Sequence, residues 1–183
     1  MTSPSEQVVL LADDGTAIGS ALKSEVHGHN TPLHLAFSCY LTDEHGRLLV
    51  TRRALSKQTW PGVWTNSFCG HPGPGEDMEQ AIVRRAREEL GAEIADLRLQ
   101  VAGFRYRAVD ASGIVENEVC PVFSATLVAG VSPAPSEVSE WEWVRPVDLA
   151  TAIDSAPFVF SPWLREQLPL LLAAGTFAPA VAS

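Results

Sequence analysis

Hydrophobic and polar positions alternate from Leu33 to Thr42. Leu33, Leu35, Phe37, Cys39 and Leu41 share one face, and His34, Ala36, Ser38 and Tyr40 share the other, the period-two signature of a strand. The run DEHG at 43–46 predicts a turn with His45 solvated in it. Leu48 to Thr51 resumes the strand pattern, so the pair predicts a hairpin. The stretch SKQTWPGVWTNSFCGHPGPGE, 56–76, is dense in Pro and Gly and predicts a long irregular loop, a kind of segment that is often functional. Asp77 to Leu90 predicts a helix, with Met78, Ile82, Ala86 and Leu90 on one stripe and Gly91 as its stop. Val101 to Arg107 and Ile114 to Thr126 predict two strands around the turn DASG, and Trp141 to Val144 a short one. Pro146 to Ala152 starts a helix, Ser161-Pro162 caps a last one, and a loose tail begins at Gly175. Strands with interspersed helices predict an α+β single domain, a mixed sheet sandwiched between helices. Its core spans about 30–172, with an N-terminal segment at 1–26 and a tail at 175–183.

Length and composition narrow this picture. The 183 residues suffice for one core, and 46% apolar with 19% charged residues fits an ordinary globular protein. A formal net charge of -9 argues against nucleic-acid or anionic-membrane partners, which need a positive field. It does not exclude a small anion met by clustered cations. Of the 13 basic residues only Lys23 and Lys57 are lysines, which fits drift and retained function equally well. Cys39, Cys69 and Cys120 form no pairing motif, no secretory signal opens the chain, and LPLLLAAGTF is too short to span a bilayer. Free thiols in a reducing, cytoplasmic setting, a monomer and no membrane partner are the expectations.

Several residues suggest chemistry. His27, His29 and His34 lie in HGHNTPLH, and His71 follows Cys69 in the central loop. Glu116 and Glu118, two apart in IVENEVCPVF, point to one face of a strand, where paired carboxylates repel unless solvated, protonated or bound to a cation. Imidazoles with carboxylates suit Zn²⁺ or Mn²⁺ better than Mg²⁺, although solvated histidines and an exposed polar face would give the same sequence. Cys69, two residues before His71, is a candidate reactive thiol; Cys39 reads as a buried one, and Cys120 has no assigned role. Tyr106 fits a core residue and a proton-transfer partner equally. Arg52, Arg53 and Lys57 form one cationic cluster, and Arg84, Arg85 and Arg87 with Glu88 and Glu89 another. Arg85 and Glu89, four apart on the helix, read either as an exposed ion pair or as a phosphate contact beside a Mg²⁺ carboxylate.

From Gly70 to Ala92 the chain resembles the Nudix box: Gly70, Glu76, Arg84, Glu88, Glu89 and Gly91 fit, while Arg85 replaces the first glutamate of the usual pair. That arginine disfavours a Nudix pyrophosphohydrolase, the alternative reading, and favours holding a diphosphate intact. LHLAFS, LLVTRRALSK, WPGVWTN, CGHP, FRYRA, SGIVENEVCPVF and FSPW, between about Leu10 and Trp163, resemble the type I isopentenyl-diphosphate delta-isomerases of bacteria. The resemblance implies a Nudix fold and interconversion of isopentenyl and dimethylallyl diphosphate through a tertiary carbocation, in isoprenoid biosynthesis. It implies one Mn²⁺ or Zn²⁺ on His27, His34, His71, Glu116 and Glu118, and a Mg²⁺ carried by the substrate diphosphate on Glu89. It makes Cys69, Glu118 and Tyr106 catalytic, assigns the diphosphate to Lys23, Arg53, Lys57 and Arg85, and faces Trp163 to the hydrocarbon. His29 has no counterpart in it.

Overall fold

The computed structural model describes residues 6–177; the predicted tail lies, from 178 on, outside them. Its strands form two sheets. The first has the order β2 (Ala17–Leu22), β1 (Gln7–Leu11), β3 (His34–Leu35), β10 (Val115–Val119), β9 (Arg105–Val109). The second runs β12 (Val138–Val144), β5 (Leu48–Arg53), β4 (Phe37–Thr42), β11 (Val122–Ala129), β8 (Glu93–Val101), with β6 (Trp64–Thr65) on β5 and β7 (Phe68–Gly70) on β4.

The alternation from Leu33 to Thr42 is one continuous pattern, yet the chain leaves the first sheet after Leu35 and enters the second at Phe37. The predicted strand Ile114–Thr126 divides in the same way, at Cys120-Pro121. The two segments cross side by side. β3 pairs β10 and β4 pairs β11, both parallel, bridged by the Ala36 amide donating to Val119 O (2.9 Å) and the Ser38 amide to Pro121 O (3.1 Å). Pro121 has no N–H to give, so the ladder cannot continue unbroken there. The predicted strand Val101–Arg107 likewise proves to be the end of β8 and the start of β9, one in each sheet.

The Pro- and Gly-rich stretch is not wholly irregular. β4 and β5 pair only at Thr42↔Leu48 and then diverge. Segment 64–70 fills the gap as β6 and β7, because buried backbone groups facing a gap must find partners. Ser67 Oγ accepts from the Leu41 amide (2.7 Å) and donates to Leu49 O (2.7 Å), stitching both sides.

The predicted faces hold across the sheet switch. Phe37, Cys39 and Leu41 pack beneath Ala81, Ile82, Ala86 and Leu90 of α2 (Met78–Leu90). Tyr40 on the other face joins Leu149 and Ile153 of α3 (Pro146–Ser155) and Leu164, Leu168 and Leu171 of α4 (Pro162–Ala173). Helices therefore cover both faces of the second sheet. Asp77 caps α2 by accepting from the Glu79 and Gln80 amides, and Gly91 ends it at φ 59°, where glycine has no steric penalty. A short helix, α1 (Lys23–Val26), ends at His27. Among the described residues no helix is long and apolar enough to cross a membrane.

Gly70 lets α2 approach β7: a Cβ there would lie 2.8 Å from both Arg85 Cγ and Phe37 Cζ. We expect Gly70→Ala to lower stability by about 1–3 kcal/mol in urea unfolding, the usual range for overpacking.

Candidate active site

Strand register assembles the centre. On β10, Glu118 lies opposite His34 of β3 on one side and Tyr106 of β9 on the other. Opposed residues of paired strands carry side chains within bonding reach on one face, so the three line up across the first sheet. Glu118 Oε2 accepts from the Tyr106 hydroxyl (2.8 Å). Its other oxygen, Oε1, lies 3.0 Å from His71 Nε2 and 3.4 Å from His34 Nε2. β7 brings Cys69 opposite Ser38 on β4, and His71 follows immediately. His27 enters from the end of α1, its Nε2 3.0 Å from Glu116 Oε2.

The ligating atoms of His27, His34, His71 and Glu118 all fall within 4.8 Å of one another. Glu116, the fifth expected ligand, stands outside that group and touches it through His27. His34 Nδ1–H can donate to Pro32 O (2.9 Å), which leaves its Nε2 as a lone pair aimed inward. Among the described residues, His27 Nε2, His34 Nε2, His71 Nδ1 and Glu116 Oε2 are buried without a hydrogen-bond partner. His27 and Glu116 are close but poorly aligned for a hydrogen bond. Three imidazoles gathered about one buried carboxylate, with ring nitrogens left without hydrogen-bond partners, fit a divalent cation. His29 is not part of this group: its Nδ1 meets Gly113 O at 2.9 Å on the surface.

His27, His71, Tyr106, Glu116 and Glu118 line a cavity of about 330 Å³ together with Cys69, Trp163 and the cations Lys23, Arg53, Lys57 and Arg85, whereas His34 is fully buried and does not reach it. These four cations thus line one cavity, together with the carboxylates of Glu89 and Glu137. Arg85 Nη2 donates to Glu89 (2.8 Å) and lies 3.5 Å from Glu137, which also binds Lys57. Arg53 donates to the carbonyls of Thr59 (2.8 Å) and Trp60 (3.2 Å), with its guanidinium 5.5 Å from the Trp163 ring centroid. Lys23 pairs with Glu6 (3.0 Å). Outside the cavity the Nudix-box pair closes as Arg84 to Glu76, with two bonds of 2.8 Å.

Burial sets the protonation of the interior. It pushes the Cys69 thiol up to about 12 and the Tyr106 phenol well above its usual range. It lowers His71 to about 3. Glu118 moves the other way: burial raises it, but the His34 and His71 rings beside its Oε1 outweigh burial and hold it well below the usual carboxylate range. Burial and the nearby Arg85 lower Lys23.

Residues that motif reasoning passed over supply the frame. Asn66, Ser38 and Gln167 are fully buried behind Cys69, and Glu6 and Glu137 neutralise cations. Only buried polarity distinguishes them, and sequence does not show burial for an isolated Ser, Asn or Gln. Cys120, of unassigned role, lies 3.3 Å from Ser38 Oγ.

A NUDIX domain model matches residues 32–164. The isopentenyl-diphosphate Delta-isomerase of Leifsonia xyli subsp. xyli is 59% identical, with 98% of each chain covered. The chain belongs to the isopentenyl-diphosphate Delta-isomerase family, within the Nudix fold. The Kocuria rhizophila enzyme of the same name is 60% identical over 91% of this chain and 92% of its own. Among solved structures, a Deinococcus radiodurans protein superposes with a TM-score of 0.70 at 22% identity, covering 90% of this chain and 98% of its own. A MutT NUDIX hydrolase from Burkholderia pseudomallei gives 0.59, also at 22%, covering 76% and 98%. At that identity these two establish the shared fold alone.

Adding Mn²⁺ or Zn²⁺ to metal-free protein at about 100 times its Kd is expected to stabilise it by about 2.7 kcal/mol, read as a rise in Tm. His34→Ala should abolish that rise.

Proposed function

We propose that the protein interconverts isopentenyl and dimethylallyl diphosphate through a tertiary carbocation, within isoprenoid biosynthesis. The observation that carries the reading is one cavity lined by a thiol, a buried carboxylate bonded to a phenol, an indole ring and a cationic mouth. The relatives' name supplies the substrate.

His27, His34, His71 and Glu118, with Glu116 behind His27, would hold one Mn²⁺ or Zn²⁺. That ion would keep the imidazoles neutral and balance the buried carboxylates. Lys23, Arg53, Lys57 and Arg85 bind the diphosphate, with Glu89 as the carboxylate for the Mg²⁺ it carries. Binding energy from that charged head orients carbons that bear no charge of their own. The Tyr106–Glu118 pair gives a proton to the terminal methylene carbon, forming a C–H bond and a tertiary cation. Cys69, as thiolate, removes a proton from the neighbouring methylene, and that C–H pair becomes the new double bond. Trp163 offers its ring face to the cation, worth about 0.5–2 kcal/mol. Water must be kept from the buried inner wall of the slot, or it would capture the cation.

The resting protonation bears on direction. A thiol raised to about 12 keeps its proton, while Glu118 is ionised. This is the pattern left after forward turnover, or the one needed to begin the reverse reaction. Each forward cycle therefore requires both sites to exchange protons with solvent. Hydrolysis is disfavoured because Arg85, where the Nudix box places a glutamate, is buried and bonded to Glu89.

Incubation with isopentenyl diphosphate and Mg²⁺ in deuterated water should give dimethylallyl diphosphate with deuterium in a methyl group and no phosphate released, read by proton and phosphorus NMR. Phosphate release without isomerisation would turn the assignment to a hydrolase. Cys69→Ala and Glu118→Gln should each cut kcat by about 10²–10⁴-fold or more while Tm stays near the wild-type value.

A further inference from the structure

Two of the groups assigned to the chemistry meet the protein frame at the same atom. Asn66 sits in the turn between β6 and β7 and is fully buried. Its Nδ2 donates to Cys39 O (3.1 Å) and Phe68 O (2.9 Å). Carbonyls only accept, so these bonds fix which way the amide faces. The oxygen must then point at the cavity wall. There Oδ1 accepts from the Cys69 thiol (3.3 Å), the Trp163 indole Nε1–H (2.9 Å) and the Thr65 hydroxyl (2.9 Å). The Thr65 hydroxyl in turn lies 2.8 Å from Ser161 Oγ, the cap of α4, two residues before Trp163.

A second chain of bonds reaches the thiol from behind. Tyr40 O–H donates to Gln167 Oε1 (2.9 Å), Gln167 Nε2 donates to Ser38 Oγ (3.0 Å), and Ser38 Oγ lies 3.4 Å from Cys69 Sγ. Gln167 belongs to α4, the helix that also carries Trp163. The sulfur is therefore held between an acceptor on the β6–β7 turn and a hydroxyl set by α4.

We propose that Asn66 is a positioning residue, whose single side-chain oxygen sets the spacing of the Cys69 sulfur and the Trp163 ring in the cavity wall. It touches no substrate. While Cys69 carries its proton, a strand-borne proton carrier and a helix-borne ring are tied to one rigid amide, so that neither moves without the other; the thiolate keeps only its Ser38 neighbour. The inference rests on the roles given above to Cys69 and Trp163.

Asn66→Leu removes the acceptor and the two donors together. Asn66→Asp keeps an oxygen at the same place and gives up the Nδ2 donors. We expect Asn66→Leu to lower kcat for isopentenyl diphosphate by about 100-fold, the cost of a displacement near 1 Å, with KM within about three-fold. Asn66→Asp should recover about ten-fold of that loss. Trp163→Phe, which deletes the N–H and keeps a ring, should cost kcat in the wild type and add little in the Asn66→Leu background. Equal impairment of the Leu and Asp variants would mean that Asn66 only braces two carbonyls, and would overturn the proposal. Full additivity of the double variant, or wild-type kcat in folded Asn66→Leu, would overturn it too. Should Asn66→Leu fail to fold by circular dichroism, the indole tether decides: wild-type kcat in folded Trp163→Phe overturns the proposal. A wild-type protein that forms no dimethylallyl diphosphate defeats the isomerase reading itself, whereas the variant outcomes above defeat only the role of Asn66.

Discussion

The structure turns on the pairing of Glu118 with His34 on one side and Tyr106 on the other. Each pairing is a matter of backbone register, yet together they decide what one buried carboxylate touches. With 5% of its surface exposed, Glu118 could not remain ionised without partners. Its two oxygens divide the work: one meets imidazoles and the other a phenol. A slip of one residue in β10 would turn Glu116 and Glu118 to the opposite face and present Asn117 in their place. The parallel crossing of two segments between sheets prevents that slip, because each strand is registered twice, once in either sheet.

The cationic mouth answers a second demand. Lysines and arginines near one another in a partly buried cavity repel unless something neutralises them. Glu6, Glu89 and Glu137 do so in this structure. A diphosphate at the site proposed above would therefore meet cations that already have partners, and would have to compete for them or share them. That exchange favours a ligand bringing several oxygens at once, since Arg and Lys rearrange toward the denser charge. The clustering also shows how a chain with a net charge of -9 can still gather four cations around one cavity.

Much of the fold was legible. The alternation of Leu33 to Thr42 predicted both faces correctly, Asp77 and Gly91 bracketed α2, and the Ser161-Pro162 cap began α4. The sheet switch was not legible, because parity persists when a strand passes from one sheet to the next. Residues 64–70 read as loop because Pro and Gly dominate their surroundings; the divergence of β4 and β5, a tertiary fact, made them strands. Residue types offered His27, His29, His34 and His71 with Glu116 and Glu118 as metal candidates, and the resemblance to a family left only His29 without a counterpart. The supporting amides and hydroxyls, Asn66, Gln167 and Ser38, left no trace, since one buried polar residue looks like any surface one until its neighbours are known. Glu116 illustrates the same limit: its spacing placed it on the correct face, but not its distance from the centre.

The order of the parts along the chain has a further consequence. His27, Cys69, His71, Tyr106 and Glu118 all precede α4, and Trp163 comes after every one of them. On the ribosome, where domains emerge from the N-terminus at several residues per second, the sulfur is made well before the helix that covers it. Until α4 docks, Cys69 lacks the indole and, through Gln167, the braced hydroxyl behind it, and it faces water rather than a dry wall. The wall around that sulfur is thus completed only when the last helix to be made has docked.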